Sequence, residues 1–494
     1  MRYTLGIDIG TYETKGVLVD ERGKVIAQAG RAHKMLVPQP GWAEHDPEQD
    51  WWGDFCVVSQ ALLQQSGIDP ANILAVACSA IGPCMLPVDA QGNPLMNGVL
   101  YGVDARAERE VRELTERIGE EVILSRCGNA LTSQSVGPKI LWLKRNRADL
   151  YNQTARILTS TSFLVHRLTG RYVIDHYTAA NFSPLYDVST QSWIEDLADD
   201  IVDLEKLPEL LWSTDIAGYV TKSAAQATGL AEGTPITAGT IDAAAEAVSV
   251  GVNTPGDMMA MYGSTIFIIL RTAQRVSDPR LWYAPWLFEG EHASMAGLAT
   301  SGTLTHWFRD QFAKDLDPEE AFPLLALEAQ ESPPGAKGLL LLPYFSGERT
   351  PIHDANAKGS FFGLNLTHTR GDMYRALIEG IAYGTRHVTD TFSEIGHPPH
   401  RLLAVGGGTK NAVWLQATSD ICGLRQEVRK NTVGASYGDA FLAALAIGRV
   451  KRTDIEHWNP IAADIRANAD PRYDHNFQIF RDLYDATKAI MKRL

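Results

Sequence analysis

Two stretches of this chain make the same kind of turn. Residues 5–16, LGIDIGTYETKG, run an apolar strand past Asp8 into Gly10-Thr11 and out towards Lys15. Residues 256–270, GDMMAMYGSTIFIIL, run an apolar strand into Gly263-Ser264-Thr265 and out into a second apolar strand. Glycine at a strand end lets backbone N–H groups approach an oxyanion closely, and a neighbouring hydroxyl adds a donor. Taken singly, each turn reads equally well as an ordinary hairpin, with Asp8 and Lys15 solvated. One in each half of the chain is a stronger constraint. It predicts two α/β domains, and two such turns could clasp a triphosphate. The match is architectural and is not a sequence repeat.

At 494 residues the chain is too long for one hydrophobic core. Residues 3–9 and 16–19 read as strands, DERGK at 20–24 as a turn, and VIAQAGRAHK as a third strand. Asp46 caps a helix over 46–67 with Pro47 at its first position. ILAVACSA at 73–80 reads as a buried strand, and residues 104–126 and 138–168 as helical. Near residue 234 the pattern restarts: TPITAGT is a short strand and Asp242 opens a helix. No low-complexity linker intervenes, and the expected partition is 1–245 and 246–494.

The net charge of −14 argues against a general binder of nucleic acid or of anionic membranes. The one basic run, KRNR at 144–147, is short and lies on an amphipathic helix. No apolar run is long enough to span a bilayer, and MRYTLGIDIG has no signal-peptide pattern, so a cytoplasmic location is expected. The five cysteines, at 56, 78, 84, 127 and 422, are odd in number and include no Cys-x-x-Cys; they read as reduced thiols. Cys78 and Cys84 flank a turn but have no partner histidines.

Two further features suggest chemistry. Gly406, Gly407 and Gly408 follow the strand LLAV and precede a helix. Without side chains there, a flat group can lie on the backbone, and Asn411 can offer a donor and an acceptor to a purine edge. The spacing is not that of the dinucleotide fingerprint, and a tight strand-to-helix turn is the alternative. Asp242, at a helix start, is favoured in its ionised form and suits a base for phosphoryl transfer; it suits a plain N-cap as well.

The segments GIDIGTYETK, AGTIDAAAEAVSVG, MYGST, LPYFSGERTP, GSFFGLNLTHTRGDMYRALIEG and VGGGTKNAVWLQ occur in the order found in the FGGY carbohydrate kinases. Gly359–Glu379 resembles that family's C-terminal signature throughout, and PKILWLKRN, with Lys139 and Trp142, resembles its N-terminal one. The resemblance spans essentially the whole chain and is strongest to the xylulokinase branch. It implies a two-domain, ribonuclease-H-like α/β fold of the hexokinase, actin and Hsp70 type, with mixed five-stranded sheets, flanking helices and an interdomain cleft. It implies ATP on the C-terminal domain, a sugar or polyol on the N-terminal one, and a homodimer as a common assembly. By the same resemblance Asp242 is the general base and Asp8 the Mg²⁺-associated aspartate. Gly10 and Thr11 form the first phosphate turn, Gly263, Ser264 and Thr265 the second. Gly302 contacts nucleotide, Gly407 and Asn411 border adenine, and Asp104, Arg106, Gly82 and Pro83 lie beside the sugar.

Two departures bear on the substrate. Where xylulokinases have Gln-Met-His-Gly, this chain has Ile81-Gly82-Pro83-Cys84, and Ala243 stands where they usually have Asn after the base. Losing two polar groups changes which hydroxyl pattern is read, so the expected acceptor is not simply D-xylulose. A nucleotide- and sugar-binding regulatory protein on the same fold is the competing reading.

Overall fold

A computed structural model describes residues 2–494. In chain order it gives β1 (Tyr3–Ile9), β2 (Glu13–Asp20), β3 (Val25–Ala32), β4 (Glu44–His45), α1 (Asp54–Ser66), β5 (Ile73–Ala80), β6 (Gly98–Val99), α2 (Val136–Asn146), β7 (Ile216–Tyr219), β8 (Pro235–Thr237), β9 (Thr240–Ile241) and α3 (Asp242–Ser249). There follow β10 (Asp257–Tyr262), β11 (Ile266–Thr272), β12 (Trp282–Pro285), β13 (His292–Leu298), α4 (Gly302–Phe312), α5 (Arg370–Glu394), β14 (Arg401–Val405), α6 (Ala412–Cys422), β15 (Gln426–Arg429), α7 (Ala435–Ala446) and β16 (Ile461–Ile465).

The chain forms two compact units. The first comprises residues 1–253, 283–293 and 433–460; the second 254–282, 294–432 and 461–494. This differs from the expected partition at 245/246, which would cut α3, and it returns residues 433–460 to the first unit. The cause is close packing of α7. A Cβ on Gly6 of β1 would lie 2.0 Å from the Ser436 carbonyl oxygen, and one on Gly438 would lie 1.9 Å from that of Ala245. Only glycine at these two positions lets α7 sit against β1 and α3.

The first unit's sheet runs β7-β8-β5-β1-β2-β3, with β9 also pairing with β5. β1 is antiparallel to β2 and parallel to β5. Six of the seven residues of β1 are buried, as expected for a strand covered on both faces. The expected five strands become seven in each sheet. In this unit the surplus is the antiparallel edge strand β7 and the short β9. Gly239, at φ +73°, interrupts what would otherwise be one strand over 235–241. The core beneath includes Leu5, Ile7, Phe55, Leu62, Val76 and Phe163.

The other seven-stranded sheet runs β12-β13-β11-β10-β14-β15-β16, with β10 antiparallel to β11 and parallel to β14. Residues 47–53 form a π-helical turn capped by Asp46 before α1 begins. The helical expectation over 104–126 is broken at Gly119. That over 138–168 is interrupted by a strand, Arg156–Leu158, that pairs with Leu86–Val88. Among the described residues no helix is long and apolar enough to cross a membrane.

Candidate active site

Three parallel strands of the first unit end at one edge. Ser79 of β5 stands in register with Asp8 of β1 on one side and Thr240 of β9 on the other. Asp242 follows as the first residue of α3, and Ala243 N–H donates to its Oδ1 at 2.7 Å. Burial raises the Asp242 pKa to about 6 although the Ala243 bond opposes it. Glu246, one helical turn on, is pushed to about 7 by burial and by the charge of Asp242.

The sequence reading missed Asp439 on α7. It is wholly buried. Its Oδ2 lies 2.7 Å from Ser79 Oγ, while Ser79 Oγ lies 3.1 Å from Asp8 Oδ1. A hydroxyl has one proton, so it cannot donate to two ionised carboxylates at once. Burial and the neighbouring carboxylates push Asp8 and Asp439 both well above the ordinary range. The arrangement is satisfied when Asp439 is protonated, donates to Ser79, and Ser79 donates to Asp8. Among the described residues that leaves Asp8 Oδ2 without a protein donor, and Asp439 Oδ1 buried without a partner.

The Gly10-Thr11 turn is held from behind by two imidazoles. His33 Nε2 donates to the Gly10 carbonyl at 3.0 Å, and His45 Nε2 donates to the Thr11 carbonyl at 3.1 Å. In a planar trans peptide the N–H points opposite to the C=O. With both carbonyls held, the Thr11 and Tyr12 N–H groups face the other way, and neither donates to an acceptor among the described residues. The turn therefore presents two free backbone donors and the Thr11 hydroxyl, which lies 3.2 Å from Tyr101 Oη. The ammonium of Lys15 lies 3.5 Å from Glu13 Oε2, on a half-buried side chain.

Tyr101 begins the segment that carries Asp104 and Arg106. Buried Lys139 on α2 donates to the carbonyls of Leu100 and Tyr101. Asp104 is fully committed inside the protein: it accepts from Ala43 N, Arg106 N, Arg106 Nε and Arg106 Nη2. It thus positions Arg106 and has no lone pair aimed at a ligand. The Arg106 guanidinium lies 3.9 Å from the Trp42 ring centroid and also reaches Glu44, while its Nη1 has no partner. Gly82 packs on Ile241, where a Cβ would lie 2.9 Å from Ile241 Cγ1, and Pro83 is buried. Cys78 and Cys84 are buried free thiols, their pKa values raised by burial.

In the second unit the N-terminus of α4 holds the second turn. Gly263 C=O accepts from Ser301 Oγ at 2.9 Å and Gly302 N at 3.0 Å. Ser264 C=O accepts from Ser301 N, Thr303 N and Thr303 Oγ1. By the same peptide geometry the Ser264 and Thr265 N–H groups point away from α4, and neither has a protein acceptor among the described residues. Gly302 is required here, since a Cβ would lie 2.4 Å from the Gly263 carbonyl oxygen.

Beside it, at the end of β14, the three glycines divide their roles. Gly406 and Gly408 accommodate Tyr262 and Trp414, where Cβ atoms would come within 2.8 Å and 2.7 Å. Gly407 alone faces open space. Asn411 is less available than its sequence suggests: its Oδ1 caps α6 by accepting from Trp414 N at 3.1 Å, and Tyr374 also hydrogen-bonds its side chain. The structure thus gathers Asp8 and Asp242 at one sheet edge, and Gly263, Ser264, Thr265, Gly302 and Gly407 at another.

The N-terminal domain model of the FGGY family of carbohydrate kinases matches residues 3–249, and the C-terminal domain model matches residues 258–447. The chain belongs to the FGGY family of carbohydrate kinases. The xylulose kinase of Escherichia coli (strain K12) is 30% identical over 448 residues, 90% of each chain. That of Bacillus subtilis (strain 168) is 28% identical over 495 residues, covering 99% of this chain and 98% of the relative. The crystal structure of xylulose kinase from Rhodospirillum rubrum superposes with a TM-score of 0.93 at 31% identity, over 99% of this chain and 100% of that one. This FGGY protein is an ATP-dependent carbohydrate kinase, a phosphotransferase with an alcohol group as acceptor.

Proposed function

We propose that the acceptor is a ketopentose such as xylulose, or a closely related sugar or polyol, and that Asp242 is the base of its phosphorylation. The hydroxyl oxygen attacks the γ-phosphorus, the bond to the ADP oxygen breaks, and Asp242 takes the hydroxyl proton. The observation that carries this reading is the state of Asp242. Among the described residues its one donor is Ala243 N–H, and burial raises its pKa to about 6, which leaves it ionised yet basic at neutral pH. Arg106, anchored by Asp104 and stacked on Trp42, has both Nη1 hydrogens without a partner among the described residues, and these are the donors for a sugar oxygen. Pro83 and Ala243 offer no polar side chain, so the acceptor is read by fewer groups than in xylulokinases with His and Asn there.

The free N–H groups of the two turns supply donors for phosphate oxygens, and Gly407 an open backbone for a flat ring. The donor set at Asp8 also fits Mg²⁺: a hard carboxylate oxygen without a protein donor, backed by further carboxylates. Among the described residues no three acidic, imidazole or thiol groups form a ready metal cage, in keeping with an ion that usually takes one or two carboxylates and keeps several waters. When bound, Mg²⁺ neutralises charge on phosphate oxygens.

Asp242→Asn should lower kcat by about 10²- to 10⁴-fold with nucleotide affinity unchanged. Near-normal turnover in that variant would remove Asp242 as the base. The acceptor is tested by an ADP-release screen across pentuloses, hexuloses, pentitols, tetritols and aldonic acids. Acceptor-dependent ADP release with a ketopentose or with another sugar or polyol of the screen is expected, and release with none of them, or with aldonic acids alone, refutes the assignment.

A further inference from the structure

We propose that His33 and His45 are positioning residues for phosphate recognition: their imidazoles lock the Gly10 and Thr11 carbonyls, and the lock on Gly10 opens when His33 gives up one of its two ring protons. The inference rests on the reading of Gly10-Thr11 as a phosphate turn.

Each ring's hydrogen bonds fix its protonation. Trp51 Nε1 is a donor only and lies 3.1 Å from His45 Nδ1. Nδ1 must therefore be bare, and Nε2 carries the proton that Thr11 C=O accepts. His45 is satisfied as a neutral ring, and burial followed by the neighbouring His33 lowers its pKa to about 4. Its lock does not titrate near neutral pH. His33 differs, since both its partners are acceptors: Asp54 Oδ2 at 2.8 Å from Nδ1 and Gly10 C=O at 3.0 Å from Nε2. Both bonds exist together only in the imidazolium. When one proton leaves, the remaining N–H stays with the stronger acceptor, the carboxylate. A bare Nε2 then faces the Gly10 carbonyl, and the peptide that aims Thr11 N–H loses its anchor.

The surroundings favour the closed state. The charged groups around His33 are Asp54 on α1, Asp50 on the turn before it, and Arg31 on β3, whose Nε is 3.0 Å from Asp54 Oδ1. His45 on β4 contributes a neutral ring with its centroid 4.9 Å from that of His33. Burial alone pulls the His33 pKa down, but the Asp54 and Gly10 bonds outweigh it and hold it above the ordinary value. The lock is therefore complete below about pH 6.5 and is lost as pH rises through the elevated value.

The test is calorimetric binding of a non-hydrolysable ATP analogue between pH 6 and 9. The nucleotide's own phosphate titrates in this range, so the quantity read is the difference in pH slope between proteins. Wild type should lose about fivefold more affinity across the range than His33→Gln, which keeps a donor but cannot titrate. Asp54→Asn, which weakens the hold on the second proton, should move the wild-type midpoint to lower pH. Equal slopes in wild type and His33→Gln, or an unmoved midpoint in Asp54→Asn, overturn the proposal. Gly10→Ala, whose Cβ would lie 2.9 Å from the Glu13 carbonyl oxygen, separates it from the reading beneath it. If that variant binds nucleotide like wild type, the assignment of Gly10-Thr11 as a phosphate turn fails. If it binds weakly while His33→Gln keeps the wild-type slope, only the histidine lock fails.

Discussion

The two glycine turns reach the same result by different means. Each has its carbonyls tied back so that two backbone N–H groups face outward. In the first, the ties are two imidazoles brought from 23 and 34 residues away. In the second, they are amides and hydroxyls of α4, whose otherwise unsatisfied N-terminal donors are consumed in the process. A helix terminus cannot change protonation, so the second turn is fixed. An imidazolium can, so the first is conditional on pH. The first turn also stands beside a group of carboxyls, Asp8 on β1, Asp242 and Glu246 on α3 and Asp439 on α7, each pushed upward by burial.

The most severe way to break this comparison is at Gly302. Alanine there would put a Cβ 2.4 Å from the Gly263 carbonyl oxygen, so α4 must withdraw and the Gly263 and Ser264 locks go with it. Nucleotide affinity should fall about tenfold or more, roughly the worth of one or two hydrogen bonds, and by the same factor at every pH. A loss that varied with pH would contradict the contrast between a fixed and a titrating turn.

A smaller effect probes the acid load behind the first turn. Asp439 has its folded pKa raised, so the folded state favours its protonated form. Its contribution to stability is therefore lost as pH rises from the unfolded value, about 3.9, through the folded one. Asn preserves the shape and a donor for Ser79 but does not ionise. Asp439→Asn should melt a few degrees above wild type at pH 8, with the margin shrinking at pH 5 and vanishing only towards pH 4. Melting below wild type at pH 8 would show that Asp439 is held as a carboxylate and that the proton order through Ser79 is reversed.

What the sequence revealed about these turns was local, and what it hid was distant. Gly10, Thr11 and Gly263 to Thr265 were legible because apolar runs, glycine and hydroxyls sit within a few residues of one another. Asp242 was legible because a carboxylate at a helix start is itself a local pattern. Asp439 pairs with Ser79 across 360 positions, and no spacing rule connects them. His45 stands immediately before the Asp46 cap, and nothing in that local pattern points to its bond with the Thr11 carbonyl 34 residues away. Asn411 and Asp104 show the opposite limit. Their residue types suit ligands, but an N-cap bond occupies one and the Ala43 and Arg106 donors occupy the other. The compact units differ from a cut at 245/246 because a sequence boundary is linear, whereas α7 returns to the first sheet by way of Gly6 and Gly438.

The smallest expected effect is at Lys15, and it sharpens the comparison because the second turn has no lysine among its residues 263–265. Lys15 stands opposite Asp8 across the β1-β2 hairpin, which invites a role as a phosphate ligand. Its side chain is 44% exposed and its ammonium sits 3.5 Å from Glu13, and an exposed pair of this kind contributes about 0–1 kcal/mol. If two outward N–H groups and a hydroxyl suffice at the second turn, they should suffice at the first. Lys15→Ala should then change the KM for ATP by less than about twofold, the scale of a weak surface pair. A tenfold rise would mean that the first turn needs a mobile cation where the second needs none, and the two would no longer be versions of one device.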